Sequence, residues 1–194
     1  MSTAEKARTL FGKKILTLEE MRVYRFILTL EAFCDLSHAI DPVEFNREYL
    51  NTYTEEWFLC PHAERTLSCL SSHYQLGILT NGFRDTQEKK IRASPLAQYL
   101  TWFISSEDVG SLKPHREAFE GIIRRTGAEP EEILFVGDSL EDDIIGARNA
   151  GMNTVWYNPA GLIPQFSELR IKPDAIIADL IEVIELLGVR DNMS

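Results

Sequence analysis

The chain has 194 residues, of which 44% are hydrophobic and 26% are charged, and its formal net charge is −10. This composition is typical of one globular domain, or of a core with a small appendage, and the negative charge argues against a nucleic-acid-binding or anionic-membrane surface. No apolar run approaches the ~18 residues of a membrane span, and residues 1–8 lack the apolar stretch of a signal peptide. The three cysteines have no metal-type spacing, and their odd number argues against a disulfide framework. We therefore expect a cytoplasmic protein.

The first sixty residues predict a helical region. Apolar residues at helical spacing predict one helix over residues 16–36, and Thr17 with Glu20 forms a plausible capping box at its start. Asp41-Pro42 opens a second helix, because proline at the first helical position loses no hydrogen bond. That helix continues to the break at Pro61. We therefore predict a helical domain over residues 1–60.

After Pro61 the pattern changes to short apolar strands that alternate with helices. Strands are predicted over residues 75–80, 102–105, 133–136, 154–157 and 175–177, and helices over 63–72, 86–93, 116–126, 144–150 and 180–187. This alternation indicates an α/β fold, a Rossmann-like parallel sheet with helices on both faces. The predicted domains are a helical region over 1–60 and an α/β core over 61–194.

Polar residues follow three of the predicted strands, at the edge where ligands bind in an open parallel sheet. Thr80, Asn81 and Gly82 end the first strand, where a hydroxyl and backbone N–H groups suit phosphate oxygens. An ordinary strand-to-helix turn also favours Asn-Gly, and this alternative remains open. Lys113 lies in the loop after the second strand, and it either neutralises a phosphate or is simply solvated.

Four carboxylates follow the third strand of this group, namely Asp138, Glu141, Asp142 and Asp143. Like charges packed so closely repel one another unless something offsets them. A Mg²⁺ ion held by one or two carboxylates, water and substrate phosphate would do so. Capping of the following helix is the competing interpretation for the later acids, and the two roles are compatible. Asp138 is the strongest candidate for the metal ligand, because it directly follows the strand end.

These motifs stand in an order that resembles a known family. The segments that carry the resemblance are Leu79-Thr80-Asn81-Gly82, Ser105-Ser106-Glu107 ahead of Lys113-Pro114, Gly137-Asp138-Ser139-Leu140-Glu141-Asp142-Asp143-Ile144, and Asn149-Ala150-Gly151. Residues 61–188 resemble the core of haloacid dehalogenase-like hydrolases. The likeness is strongest to small-metabolite phosphatases, a branch that includes nucleotide 5′-phosphatases and N-acylneuraminate-9-phosphatase.

The resemblance implies a role for each of these residues. Thr80, Asn81 and Gly82 would hold the phosphoryl group, and Lys113 would be the catalytic residue that stabilises its charge. Asp138 would bind the Mg²⁺ cofactor and Asp143 would assist it, with Asp142 as the alternative second acid. The helices of residues 14–57 look like the cap that this branch inserts after its first strand. The implied activity is a Mg²⁺-dependent phosphatase whose partner is a small phosphorylated metabolite, such as a nucleotide or sugar phosphate.

The family begins with an apolar strand ending in Asp-x-Asp-x-Thr, whose first aspartate attacks the phosphate, and none of the 194 residues forms this pattern. Asp35 is no substitute, because it lies in a helical pattern and is followed by Ser37 in place of the second acid. We therefore expect an N-terminally truncated chain of impaired activity, without the first central strand. A catalytically silent domain that binds a phosphate ligand or a protein partner is the alternative. The unpaired inner strands predict self-association, or a partner strand that completes the sheet.

Overall fold

A computed structural model describes residues 6–7, 9–10, 13, 15–32, 40–55, 57–162 and 172–190. Its contacts divide the chain into two compact units, Met1–Trp57 and Phe58–Ser194. The sequence prediction places the domain boundary a few residues later, at Pro61. The two units are described separately below.

The first unit contains helix α1 (Leu18–Ala32) and helix α2 (Pro42–Glu55). The predicted capping box precedes α1, where Thr17 N–H donates to Glu20 Oε2 at 2.7 Å and Glu20 N–H donates to Thr17 Oγ1 at 3.2 Å. The Thr17 N–H, and the Thr17 hydroxyl that also donates to Glu20 Oε2 at 2.8 Å, lower the pKa of the Glu20 carboxyl. Residues 33–39, which include the predicted end of the first helix and Asp35, lie outside the described residues.

Aromatic side chains pack helices α1 and α2 together. The ring of Phe26 meets Phe45 and Tyr49 edge to face, with ring centres 5.1 and 5.2 Å apart. The guanidinium of Arg25 lies over the rings of Phe26 and Tyr49, at 4.5 and 5.0 Å from their centres. Such aromatic and cation–π contacts add to the stability that burial of the rings provides.

The second unit carries five short strands, which are β1 (Gly77–Thr80), β2 (Trp102–Ser105), β3 (Leu134–Gly137), β4 (Asn153–Tyr157) and β5 (Ala175–Ile177). Strand β1 pairs with β2, β3 pairs with β4, and β4 pairs with β5, and every one of these pairings is parallel. Parallel strands require crossover connections. The helices of this unit supply them, and the predicted α/β class is confirmed.

The helices of the second unit are α3 (Ala63–Ser71), α4 (Arg84–Ala93), α5 (Ser106–Val109), α6 (Arg116–Thr126), α7 (Gly146–Asn149) and α8 (Glu182–Leu186). A π-helical turn, Leu140–Ile145, runs directly into α7. It forms because the N–H groups of Asp143 and Ile144 both donate to the carbonyl of Ser139, at 2.9 and 3.2 Å. The predicted start of this helical run at residue 144 is therefore wrong, and the acidic residues lie inside the helical run.

Two hydrophobic clusters cover the strands. The first contains Leu79, Ile104, Ala118, Phe119, Ile122, Phe135, Ala147, Ala150 and Met152, and the second contains Cys69, Leu70, Val155, Ile177, Val183 and Ile184. In β3, Phe135 belongs to the first cluster, while Leu134 and Val136 pack against the second. Alternate residues of a strand point to opposite faces, so helices pack on both faces, as the sequence predicts. No helix among the described residues is long and apolar enough to cross a membrane.

The parallel strands form two sheets rather than one. Within the described residues the orders are β1–β2 and β3–β4–β5, so hydrogen bonds do not join β1 to β3. Burial agrees with this division, because β4, which has a neighbour on each side, keeps Thr154, Val155 and Trp156 at 0–3% exposure. In β1 only Leu79 is buried, and in β3 only Phe135. The family resemblance implies that the first strand would lie between the strands that end at Asn81 and Asp138, and this is the place where the described strands are not joined.

Asp108 caps α5 and contributes pH-dependent stability. It accepts hydrogen bonds from Ser105 N–H at 2.8 Å and Ser105 Oγ at 3.0 Å, and it pairs with Arg84. Burial acts to raise its pKa, but the bonds from Ser105 and the charge of Arg84 outweigh burial and lower the pKa overall. A lowered folded-state pKa contributes stability above the unfolded pKa of about 3.9, and that stability is lost as the pH falls through the folded value.

We therefore expect Asp108→Asn to destabilise the protein by about 1 kcal/mol at pH 7. Urea midpoints of the protein and the variant should converge as the pH falls below about 4. A difference that stays constant between pH 7 and pH 3 would contradict this account of Asp108.

Candidate functional site

The predicted site residues lie at the carboxyl ends of β1 and β3. Thr80 is the last residue of β1, Gly137 is the last residue of β3, and Asp138 follows it. In the turn after β1, Gly82 N–H donates to Thr80 Oγ1 at 3.0 Å. This bond uses the hydroxyl oxygen as an acceptor, so the hydroxyl hydrogen remains available for donation. Gly82 thereby shapes the turn that presents the Thr80 hydroxyl.

The side chain of Asn81 holds the backbone of Lys113. Its Nδ2 donates to the Lys113 carbonyl at 3.0 Å, and Lys113 N–H donates to Asn81 Oδ1 at 2.8 Å. The amide thus pairs with the Lys113 peptide groups as another stretch of backbone would. The following Lys113–Pro114 peptide bond is cis. The sequence places both residues in the site, but nothing in it signals this pairing across 32 positions.

Lys113 forms a buried ion pair with Asp143. Its ammonium nitrogen contacts Asp143 Oδ1, and the two side chains are only 13% and 6% exposed. The other carboxylate oxygen, Oδ2, accepts from Ser139 N–H at 3.0 Å. The ammonium also lies 5.6 Å from the centre of the Phe135 ring. Lys113 is therefore not a solvated loop lysine, which was the alternative left open by the sequence.

Gly137 gives Asp143 room to approach the end of β3. A Cβ atom at position 137 would lie 2.4 Å from Asp143 Cβ and 2.5 Å from its carboxyl carbon. No real Cβ contact is that short, so any other residue at 137 would displace the carboxylate or the strand. A glycine directly before Asp138 was the only sequence signal for this contact, and sequence reasoning missed its role.

Asp138 and Asp142 differ from Asp143 in their surroundings. Asp138 is exposed, and its carbonyl accepts from Trp156 Nε1 at 2.9 Å, which ties the loop to β4. Asp142 N–H donates to Ser139 Oγ at 3.0 Å, so Ser139 caps the π-helical turn. The structure therefore brings Asn81, Lys113, Asp143 and Ser139 into one connected network. Asp142 is anchored through its backbone beside that network.

The acids of this edge suit a Mg²⁺ ion that also contacts a substrate. In the part of the chain that the structure describes, no three His, Cys, Asp or Glu side chains converge to hold a metal by themselves. Mg²⁺ usually takes only one or two protein carboxylates and completes its shell with water and phosphate oxygens. An exposed Asp138 and a buried Asp143 near one strand end provide oxygen donors of that kind. The donor chemistry fits the ion.

The Asn81–Lys113 pairing yields a stability prediction. Asn81→Ala leaves the N–H and carbonyl of Lys113 without these partners in a half-buried place, and we expect a loss of about 1–3 kcal/mol in the free energy of unfolding. Asn149→Ala, at an exposed position on α7, is the matched control and should change little. Urea titration measures both. Equal midpoints for the two variants would show that the pairing contributes no stability.

Comparison with known proteins places the chain among hydrolases. A family model described as haloacid dehalogenase-like hydrolase matches residues 7–151. Pyrimidine 5′-nucleotidase YjjG of Escherichia coli is 30% identical over 135 residues, which are 66% of this chain and 60% of that protein. Glyceraldehyde 3-phosphate phosphatase of Pyrococcus furiosus is 34% identical over 144 residues, which are 74% and 58% of the two chains. The chain thus spans about 60% of the length of these two curated relatives.

Solved structures agree with this placement. The crystal structure of the HAD-hydrolase YfnB from Bacillus subtilis, bound to magnesium, superposes with a TM-score of 0.81 at 29% identity and covers 96% of this chain and 79% of that one. The 2-haloacid dehalogenase of Pseudomonas syringae has a TM-score of 0.71 at 27% identity, over 96% and 80% of the two chains. By its motifs, its fold and these matches, the chain belongs to the haloacid dehalogenase-like hydrolase family.

Proposed function

We propose that this chain forms the body of a Mg²⁺-dependent phosphatase for a small phosphomonoester, such as a nucleotide or a sugar phosphate. The observation that carries the proposal is the network at the carboxyl ends of β1 and β3, in which the Thr80 turn, Lys113 and Asp143 are linked. Similarity to a pyrimidine 5′-nucleotidase, a glyceraldehyde 3-phosphate phosphatase and mouse N-acylneuraminate-9-phosphatase supports the substrate class. The magnesium-bound relative supports the cofactor.

The residues of the network have distinct roles in this proposal. The Thr80 hydroxyl donates to a phosphoryl oxygen, because its own oxygen already accepts from Gly82 N–H. Asn81 fixes the Lys113 backbone, which keeps the lysine side chain at the site. Lys113 carries the positive charge that offsets the phosphoryl oxygens, and preorganised charge of this kind stabilises a transition state. Asp143 holds the ammonium group in place.

Asp138 and Asp143 are the residues that would hold Mg²⁺. The ion, when bound, would neutralise phosphate charge and help to orient the group. Asp138 is exposed at the strand end and so is accessible to a solvated ion, while Asp143 is anchored by Ser139 N–H. The two helices of the first unit would serve as the cap that the family resemblance implies and would influence substrate choice.

Turnover needs a nucleophile that the family takes from Asp-x-Asp-x-Thr, a pattern that the 194 residues do not contain. Within these residues, water could still attack a phosphomonoester that is positioned and neutralised, but without the covalent nucleophile and the neighbouring general acid of that pattern. We therefore propose that these residues by themselves bind the phosphomonoester and hydrolyse it very slowly. The absent pattern also favours a second candidate, a catalytically silent domain that binds a phosphate ligand or a partner through the same edge.

Calorimetric titration with orthophosphate, with and without Mg²⁺, tests the proposed site. We expect binding that Mg²⁺ strengthens, and a loss of at least about tenfold in affinity in Asp138→Asn and Lys113→Met, a change worth about 1.4 kcal/mol. Glu64→Gln and Lys89→Met, at exposed positions on α3 and α4, are the charge-matched controls. Phosphate binding that is absent, or that survives both site substitutions unchanged, would rule out the proposed site.

A further inference from the structure

A carboxylate from the neighbouring loop bonds to the backbone just after the Thr80 turn, residues 80–82. Glu107, in α5, accepts a hydrogen bond from the backbone N–H of Arg84 at 2.8 Å, across 23 positions of the chain. We propose that Glu107 is a positioning residue of the phosphate site, which fixes the Thr80 turn relative to Lys113 through the start of α4. This inference rests on the proposed phosphatase function and assigns a role to a residue outside the network described above.

Strand pairing brings the two loops together. Thr80 and Ser105 lie opposite each other at the carboxyl ends of β1 and β2. Parallel neighbours end at the same edge of a sheet, so the Thr80 turn begins beside the loop that carries Glu107 and Lys113. Contacts between these two loops therefore decide how the Thr80 hydroxyl and the Lys113 ammonium group are placed relative to each other.

Two contacts hold the backbones of these loops together, one on each side of Gly82 in the sequence. Before Gly82, the Asn81 side chain pairs with the peptide groups of Lys113 at 3.0 and 2.8 Å. After Gly82, the N–H of Arg84 donates to Glu107 Oε1. The turn is thus fixed at both of its ends, and Glu107 supplies the second attachment.

The neighbouring acid, Asp108, contacts the same residue in a different way. It accepts from the N–H and the hydroxyl of Ser105 and pairs with the side chain of Arg84. The paired side chains are 44% and 30% exposed, and an exposed ion pair between flexible side chains constrains the backbone little. Glu107 bonds directly to the main chain, so it is the better candidate for a residue that positions the turn.

The bond to Glu107 also completes the start of α4. Arg84 is the first residue of this helix, and Phe83 before it makes no side-chain capping bond. The first N–H groups of a helix have no acceptor within the helix itself, and a carboxylate at this end interacts favourably with the helix dipole. Glu107 therefore provides, from another loop, an acceptor that the N-cap residue of α4 does not supply.

Charge and position predict opposite effects when Glu107 is replaced. A carboxylate near an anion site repels phosphate, so loss of the charge alone would strengthen phosphate binding. Loss of the acceptor frees the start of α4 and with it the Thr80 turn, so loss of positioning would weaken binding. Glutamine removes the charge but keeps a carbonyl oxygen for the N–H of Arg84, whereas alanine removes both. The two variants together separate the two effects.

Calorimetric titration with orthophosphate and Mg²⁺, combined with hydrogen exchange in the absence of phosphate, tests the role of Glu107. We expect Glu107→Ala to bind phosphate about tenfold more weakly and to exchange the amides of Gly82 and Arg84 at least about tenfold faster. Glu107→Gln should bind at least as tightly as the unaltered protein and keep its protection. Glu64→Ala, at an exposed position on α3, is the control and should change neither quantity. Exchange in β4 should be the same in all variants.

Four results would overturn the proposal, and they differ in what they leave standing. Phosphate binding by Glu107→Ala that equals that of the unaltered protein would remove the role of Glu107 but not the proposed function. Equal losses in the alanine and glutamine variants would do the same, because the charge and not the acceptor would then matter. Faster exchange that extends to β4 would show a general loss of stability instead of a local role. Absence of phosphate binding by the unaltered protein would overturn the proposed function itself, and the role of Glu107 with it.

Discussion

Replacing Asp143 with alanine is expected to lower the free energy of unfolding by about 3–5 kcal/mol. The carboxylate is buried, pairs with Lys113 and accepts from Ser139 N–H, so its removal leaves a mostly buried ammonium group without this partner. The cost comes mainly from that uncompensated charge and not from the net strength of the pair. Urea denaturation monitored by circular dichroism measures the loss.

A double variant separates the two contributions. Lys113→Met with Asp143→Leu removes both charges and keeps apolar volume, so it should be clearly more stable than Asp143→Ala. It should also lose phosphate binding, because the cation has gone. Asp143→Asn keeps an acceptor for Ser139 N–H and should lie between the other two in stability. If Asp143→Ala is as stable as the unaltered protein, the ion pair described here does not hold the site together.

Phe119→Ala is expected to destabilise the protein by about 3–5 kcal/mol. Phe119 is fully buried on α6 and packs against Phe135 of β3, within the cluster that also contains Leu79 of β1. Gly146 leaves room for this ring, since a Cβ on Gly146 would lie 2.5 Å from a ring carbon of Phe119. Loss of the ring would open a cavity in the cluster that joins β1 and β3.

The control for this variant is Phe58→Ala, because that ring is 90% exposed. Its substitution should change the free energy of unfolding by less than about 0.5 kcal/mol. The cavity should also weaken the link between the two sheets, so hydrogen exchange in β1 and β3 should accelerate together in Phe119→Ala. Faster exchange in only one of the two strands would contradict the view that a single core spans the interruption.

Local sequence signals predicted most of the second unit. Residues 102–105 and 116–126 were predicted as a strand and a helix, and the structure gives Trp102–Ser105 and Arg116–Thr126. The helix ends where Gly127 adopts a φ of 71°, a conformation that glycine takes without steric cost. The spacing of apolar residues and the residues that favour turns are local features, so they can be recognised directly in the sequence. The π-helical turn was not predicted, because its bonds to the Ser139 carbonyl follow no side-chain period.

The members of the candidate site were predicted, but their contacts were not. Strand ends and residue chemistry select Thr80, Asn81, Gly82, Lys113 and Asp138 as candidates, and the family resemblance adds Asp143, with Asp142 as the alternative second acid. The Lys113–Asp143 ion pair joins positions 30 residues apart, and the hydrogen bonds between Asn81 and the Lys113 backbone join positions 32 residues apart. Such contacts depend on how the elements pack, which a single sequence does not specify. The interruption between β1 and β3 was predicted from the family resemblance, because the 194 residues do not contain its Asp-x-Asp-x-Thr pattern.

Calorimetric titration of the 194-residue chain with orthophosphate, with and without Mg²⁺, tests the central claim most directly. That claim is that the turn after β1, Lys113 and Asp138 together form one phosphate site at the carboxyl ends of β1 and β3. We predict that Mg²⁺ strengthens phosphate binding and that Lys113→Met and Asp138→Asn each weaken it by at least about tenfold. Phosphate affinity that is the same with and without Mg²⁺, and the same in both variants, would contradict the account.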